Sequence, residues 1–172
     1  MKTHGLIIAL LLLTLGLSAQ SFEATIGGSV VAPEEVPAAV KASQEQYFPG
    51  VAVRSWRMLS ASVTQGSGTV YVSVFTENQT NTHAQYTAAG QGIAAITQYA
   101  PNALPTGIQQ ALSTTYADYK LTGAALVKAL PTGTSAYRLR LRKAAQKLTV
   151  WVDENGKEVS GNQIPDTADP AE

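Results

Sequence analysis

The chain has 172 residues, enough for one ordinary domain or two small ones. Twelve Lys and Arg balance twelve Asp and Glu, so no global field draws it toward nucleic acid or an anionic membrane. The lack of cysteine excludes disulfides, thiolate metal sites and thiol nucleophiles, and leaves the apolar core to hold the fold.

Lys2 and His4 precede the apolar run from Leu6 to Leu17, and Ser18-Ala19-Gln20 follow it. A basic start, an apolar middle and a small-residue end form the layout of a secretory signal peptide, here 1–19. The run is too short to span a bilayer, which takes about 20 residues. With no cysteine behind it, a lipoprotein anchor is excluded. Cleavage would leave eleven bases against twelve acids and a periplasmic or secreted bacterial protein with no stable membrane anchor.

Residues 20–35, with Gly27, Gly28 and Pro33, read as a lead-in that is extended or mobile. A helix is expected over 37–48, with Glu34 and Glu35 at its positive end and Pro49-Gly50 stopping it. Strands follow at 51–59, 69–75, 82–88 and 93–99, separated by a Ser/Gly/Gln loop at 64–68, a polar turn at 77–81 and Gly90-Gln91-Gly92. A second helix is expected over 105–116, with Leu104, Ile108, Ala111, Leu112 and Tyr116 on one stripe. Strands then fall at 120–130, 136–142 and 148–152. Asn155-Gly156 marks a hairpin, and a weak last strand begins at Glu158.

The opening Val36-Pro37-Ala38-Ala39-Val40 returns 68 residues later as Leu104-Pro105-Thr106-Gly107-Ile108. A period of this length predicts two copies of one unit. The expected fold class is α+β. Two tandem repeats, 36–100 and 101–164, would each pack a helix on a four-stranded antiparallel sheet, and 165–172 would form a flexible tail.

The residues of an active site are missing. The mature chain would keep one histidine, His83, which reads as an ordinary strand residue. No Gly-x-Ser-x-Gly elbow is present. Asp153-Glu154-Asn155-Gly156 lacks the acidic twelfth ligand of a calcium loop. Gln65-Gly66-Ser67-Gly68 lacks the Lys and the spacing of a phosphate cradle. No cofactor, metal or nucleic acid is expected.

Strand alternation supplies a different candidate. If Val70, Val72, Val74, Leu139, Leu141, Leu148, Val150 and Val152 face the helices, the opposite side carries Arg54, Trp56, Tyr71, Phe75, Arg138, Arg140, Arg142 and Trp151. Trp, Tyr and Arg are enriched in binding hot spots. The bland reading of the same residues is a solvated face with cross-strand partners.

Three stretches carry a family resemblance. They are Val36-Pro37-Ala38-Ala39-Val40-Lys41 leading to Tyr47-Phe48-Pro49-Gly50, the following strand with Trp56, and Leu148 to Val159 around Trp151 and Asn155-Gly156. Together they resemble the PepSY-like, β-lactamase-inhibitor-like domains of small exported Bacteroidetes proteins. The resemblance covers about Val36 to Ile164. It implies a helix on a four-stranded sheet, often in tandem, with no established enzymatic activity. The first half departs from the pattern with Thr87-Ala88-Ala89-Gly90 at its hairpin, and the second half lacks the Phe-Pro-Gly helix end. The expected function is a non-enzymatic, monomeric periplasmic module that binds an envelope protein or peptide on an open sheet face. The alternative is a carrier of a small ligand or glycan fragment.

Overall fold

The computed structural model describes residues 26–63, 66–163 and 165. The signal peptide, the start of the lead-in, residues 64 and 65 of the expected loop, and the tail beyond 165 lie outside the described residues. One antiparallel sheet of eight strands forms the body, each strand paired with the next in chain order. The strands are β1 (Ser29–Val31), β2 (Val53–Val63), β3 (Gly66–Glu77), β4 (Thr80–Thr87), β5 (Gly92–Gln98), β6 (Lys120–Ala129), β7 (Ser135–Lys143) and β8 (Gln146–Val152). Helix α1 (Ala38–Tyr47) lies between β1 and β2, and helix α2 (Thr106–Thr114) between β5 and β6.

This corrects the expected pair of four-stranded sheets. β5 pairs with β6 from Ala94↔Ala129 to Gln98↔Ala125, straight across the expected boundary. Five strands precede α2 and three follow it. The lead-in supplies β1, whose Val30 sits opposite Arg57. The expected last strand reduces to one bridge between Val152 and Glu158. The physical reason is edge satisfaction. Two separate sheets would leave the outward-facing N–H and C=O groups of β5 and β6 unpaired, and one continuous ladder pairs them.

Each helix begins directly after a proline, Pro37 or Pro105, at a position where a missing N–H costs nothing. α1 ends where Gly50 turns the chain at φ 70° and the Phe48 amide donates to the Gln44 carbonyl at 2.9 Å. The first turns of both helices rest on glycine turns of the sheet. Gly90 has φ 85°, and a Cβ there would lie 2.7 Å from the Ala39 carbonyl oxygen. Gly156 has φ 80°, and its Cβ would lie 2.6 Å from that of Gly107.

Both helices pack on one face of the sheet. Under α1 lie Val36, Val40, Trp56, Phe75, Ala84, Tyr86, Ala95 and Leu130. Under α2 lie Leu104, Ile108, Tyr116, Ala124, Leu139, Leu141, Val150 and Val152. The other face holds its own apolar layer: Leu59, Val70 and Val72 in one cluster, and Ala94, Ile96, Ala125 and Val127 in the next. Ile93 touches both clusters and joins them. Burying each Val or Ile of this layer stabilises the fold by about 1.5–3 kcal/mol. A polar triad sits inside the α1 contact. Gln44 Oε1 accepts from Ser73 Oγ at 2.6 Å and from Tyr86 Oη at 2.8 Å. Burial raises the Tyr86 phenol well above its ordinary pKa.

Candidate binding surface on the outer strands

The register sorts the eight expected face residues. Trp56 stands opposite Ser73 and Met58 opposite Tyr71, which puts both sets on the α1 side. Trp56 and Phe75 are buried there, the Phe75 ring packs tilted against Phe48 with centroids 4.8 Å apart, and Tyr71 packs against the same cluster. Arg54 falls at the bulge between the Val53 and Ser55 registers, where its guanidinium reaches Asn81 Oδ1 at 3.5 Å. Trp56, Tyr71 and Phe75 do not join the arginines of β7. Their expected place on the face away from the helices is corrected, and Val70, Val72 and Val74 occupy it instead. Arg54 is not among the residues under α1, and its partner Asn81 pairs with Thr76 on the side of Val74. The reason is that β3 is buried on both faces. Alternation then identifies two sides without saying which one meets the helix.

The second half follows the expected parity. Leu139, Leu141, Val150 and Val152 pack under α2, so Arg138, Arg140 and Arg142 lie on the opposite face. Their cross-strand partners on β8 are Trp151, Thr149 and Lys147. Arg138 is buried, with its guanidinium carbon 5.8 Å from the Trp151 ring centroid. That distance is within cation–π range. Trp151 also reaches the Ala125 and Val127 cluster, which anchors the margin to the apolar layer. Arg140 and Trp151 are half-buried, and Arg142, Lys147 and Thr149 are exposed.

Two cations of this surface escape sequence reasoning. Lys147 shares the parity of Thr149 and Trp151 and could have been found from that alternation. Lys120 could not. It stands opposite Arg142, and a register shift between Leu121 and Gly123 sets it on the same face as Gly123, the partner of Arg140. An unbroken alternation would have placed Lys120 with Ala124, under α2. The result is a rung of three cations, Lys120, Arg142 and Lys147, beside Arg140 and Arg138. β6, β7 and β8 contain no Asp or Glu at all. Lys143 is separate. Its ammonium is 2.7 Å from Asp118, and this hydrogen bond lowers the carboxyl pKa and raises that of the amine.

β8 is also the last strand of the sheet. The Val159 amide donates to the Trp151 carbonyl at 2.9 Å, so that carbonyl faces away from β7. Antiparallel alternation aims the N–H and C=O groups of Thr149 and Lys147 the same way. The chain behind the bridge is held by Tyr116, whose hydroxyl donates to Glu158 Oε1 at 2.5 Å. His83, opposite Val74 and Ile96, is 7% exposed within the apolar layer. Among the described residues no group of three His, Cys, Asp or Glu is placed to hold a metal ion.

No family model and no curated protein matches this chain. Its fold does have solved counterparts. A BLIP-like protein of Bacteroides fragilis superposes with a TM-score of 0.58 at 12% identity, over 77% of this chain and 87% of that one. A DUF2874 family protein of Bacteroides ovatus gives 0.58 at 14% identity, over 72% and 84%. A Bacteroides eggerthii protein inferred to be periplasmic gives 0.57 at 15%, over 73% and 86%. At these identities the likeness is one of fold. The inhibitor-like side of the resemblance has a counterpart here, and the PepSY-like side has none among these three. Among the described residues no helix is long and apolar enough to cross a membrane.

Proposed function

We propose that the chain is a non-enzymatic binding module of the bacterial cell envelope. It takes a protein or peptide on the sheet margin formed by β6, β7 and β8. One observation carries this reading: three exposed cations, Lys120, Arg142 and Lys147, form one rung across three strands that contain no carboxylate. Like charges facing each other across strands oppose folding. Arg and Trp are enriched in interfaces, and this margin sets Arg140 and Arg142 on one face with the half-buried Trp151. The fold's likeness to BLIP-like and periplasmic proteins supports the compartment and the class. The signal-peptide pattern of 1–19 points the same way. A carrier would need aromatics of the sheet to line a pocket, and Trp56 is buried in the core under α1.

The test is capture from envelope extract by the mature chain, with Arg140→Glu and Trp151→Ala as controls. Retention of the same identified protein at least tenfold better by the native chain supports the proposal. Equal recovery by all three removes it.

A further inference from the structure

Resting on the reading above, we infer that β8 is an acceptor edge for an acidic, extended segment of the partner, which adds to the sheet as a ninth strand. Three observations converge. First, the outward N–H and C=O groups of Lys147 and Thr149 follow from the direction of the Trp151 carbonyl. Second, the chain itself uses this edge, pairing Val152 with Glu158 at the far end of β8. Third, the surface next to the edge is cationic. A strand added about 4.8 Å from β8 would set alternate side chains beside Lys147 and Thr149, with Arg142 and Arg140 one strand further in. Carboxylates at those alternate positions would offset the repulsion within the cation rung. Main-chain pairing would give affinity and the carboxylates would give register, which is the usual division of labour in strand addition.

The probe is a fluorescein-labelled heptapeptide alternating Glu with Val or Thr, followed by polarisation with the full mature chain. Two altered peptides separate the contributions, one with Gln for Glu and one N-methylated at alternate residues. Two protein variants match them: Arg142→Glu with Lys147→Glu, and Thr149→Pro. Thr149→Pro removes an amide that faces away from β7, so the β7–β8 ladder keeps its bonds. Each of the four changes is expected to weaken binding at least tenfold. Raising salt from about 0.05 M to about 0.3 M is expected to weaken the native pair severalfold.

If the N-methylated peptide and the Thr149→Pro chain bind as well as their parents while charge reversal abolishes binding, strand addition is overturned and the sheet-margin reading stands. No saturable binding of the parent peptide overturns the acidic-segment inference, and envelope capture still tests the wider proposal separately. Peptide-free dimerisation that Thr149→Pro abolishes would make a second copy the occupant and overturn it too. Tighter peptide binding by a chain ended at Pro165, without Asp166, Asp169 and Glu172, would mark these acids as competitors for the same edge and support it.

Discussion

Replacing Gln44 by Leu tests the polar triad at the heart of the α1 contact. Gln44 is 4% exposed, and its Oε1 accepts from both Ser73 and Tyr86, while its Nε2 is buried with no hydrogen-bond partner. Leu is close in volume, so no large cavity opens. The substitution leaves two buried hydroxyls without their acceptor, at about 1–3 kcal/mol each. It also removes one orphan amide nitrogen, which returns a similar single amount. The balance is a net loss of about 1–3 kcal/mol. Adding Ser73→Ala and Tyr86→Phe removes both orphaned donors, and the triple variant is expected within about 1 kcal/mol of the native chain. Urea unfolding with a constant slope measures all three proteins. A Gln44→Leu chain as stable as the native one, or a triple variant weaker than the single one, refutes the reasoning.

The glycine turns make a paired prediction: Gly133→Ala meets no atom within 4 Å and is expected to cost only the left-handed penalty of about 1–2 kcal/mol. Gly156→Ala adds a clash with Gly107 and Ala111 and should lower the thermal midpoint further; equal midpoints would refute the close approach. Alkaline pH provides another. Burial and the bond to Glu158 push the Tyr116 pKa up to about 12, and burial also raises Tyr86 and Tyr137. The Tyr116 phenol sits above the unfolded value of about 10, so its stabilisation is whole below about pH 10 and is lost as pH rises through about 12, and Tyr86 and Tyr137 act in the same direction. The urea midpoint is expected to fall across that window, less steeply in Tyr116→Phe, and a flat profile to pH 12 would contradict the assignment.

Local chemistry was legible in the sequence. Pro37 and Pro105 mark the helix starts, Pro49-Gly50 a helix stop, and the Val/Tyr/Phe alternation of 69–75 the heart of β3. The polar turn at 77–81 tightens to Asn78-Gln79, with φ 48° and 63°, and the strands on either side lengthen into it. Sidedness was legible only where the strands carry charge on one face. In β7 the alternating Arg and Leu allow a single solution, because three arginines cannot sit under a helix. In β3 both alternating sets are apolar or small, and both are buried. The sheet side of Trp56, Tyr71 and Phe75 therefore depends on what packs above them.

Composition, turn residues and periodicity thus determined the two helices, the middles of the seven strands β2 to β8, and which face of β7 is basic, but neither β1 nor the loss of the expected last strand. Tertiary structure alone decided that the strands form one sheet, because the β5–β6 pairing joins residues whose strand patterns say nothing about their neighbours. It also decided the membership of the basic rung. Lys120 joins Arg142 and Lys147 only through the irregular register at Leu121 and Gly123, and a one-residue bulge is set by the ladder rather than by the strand's own alternation.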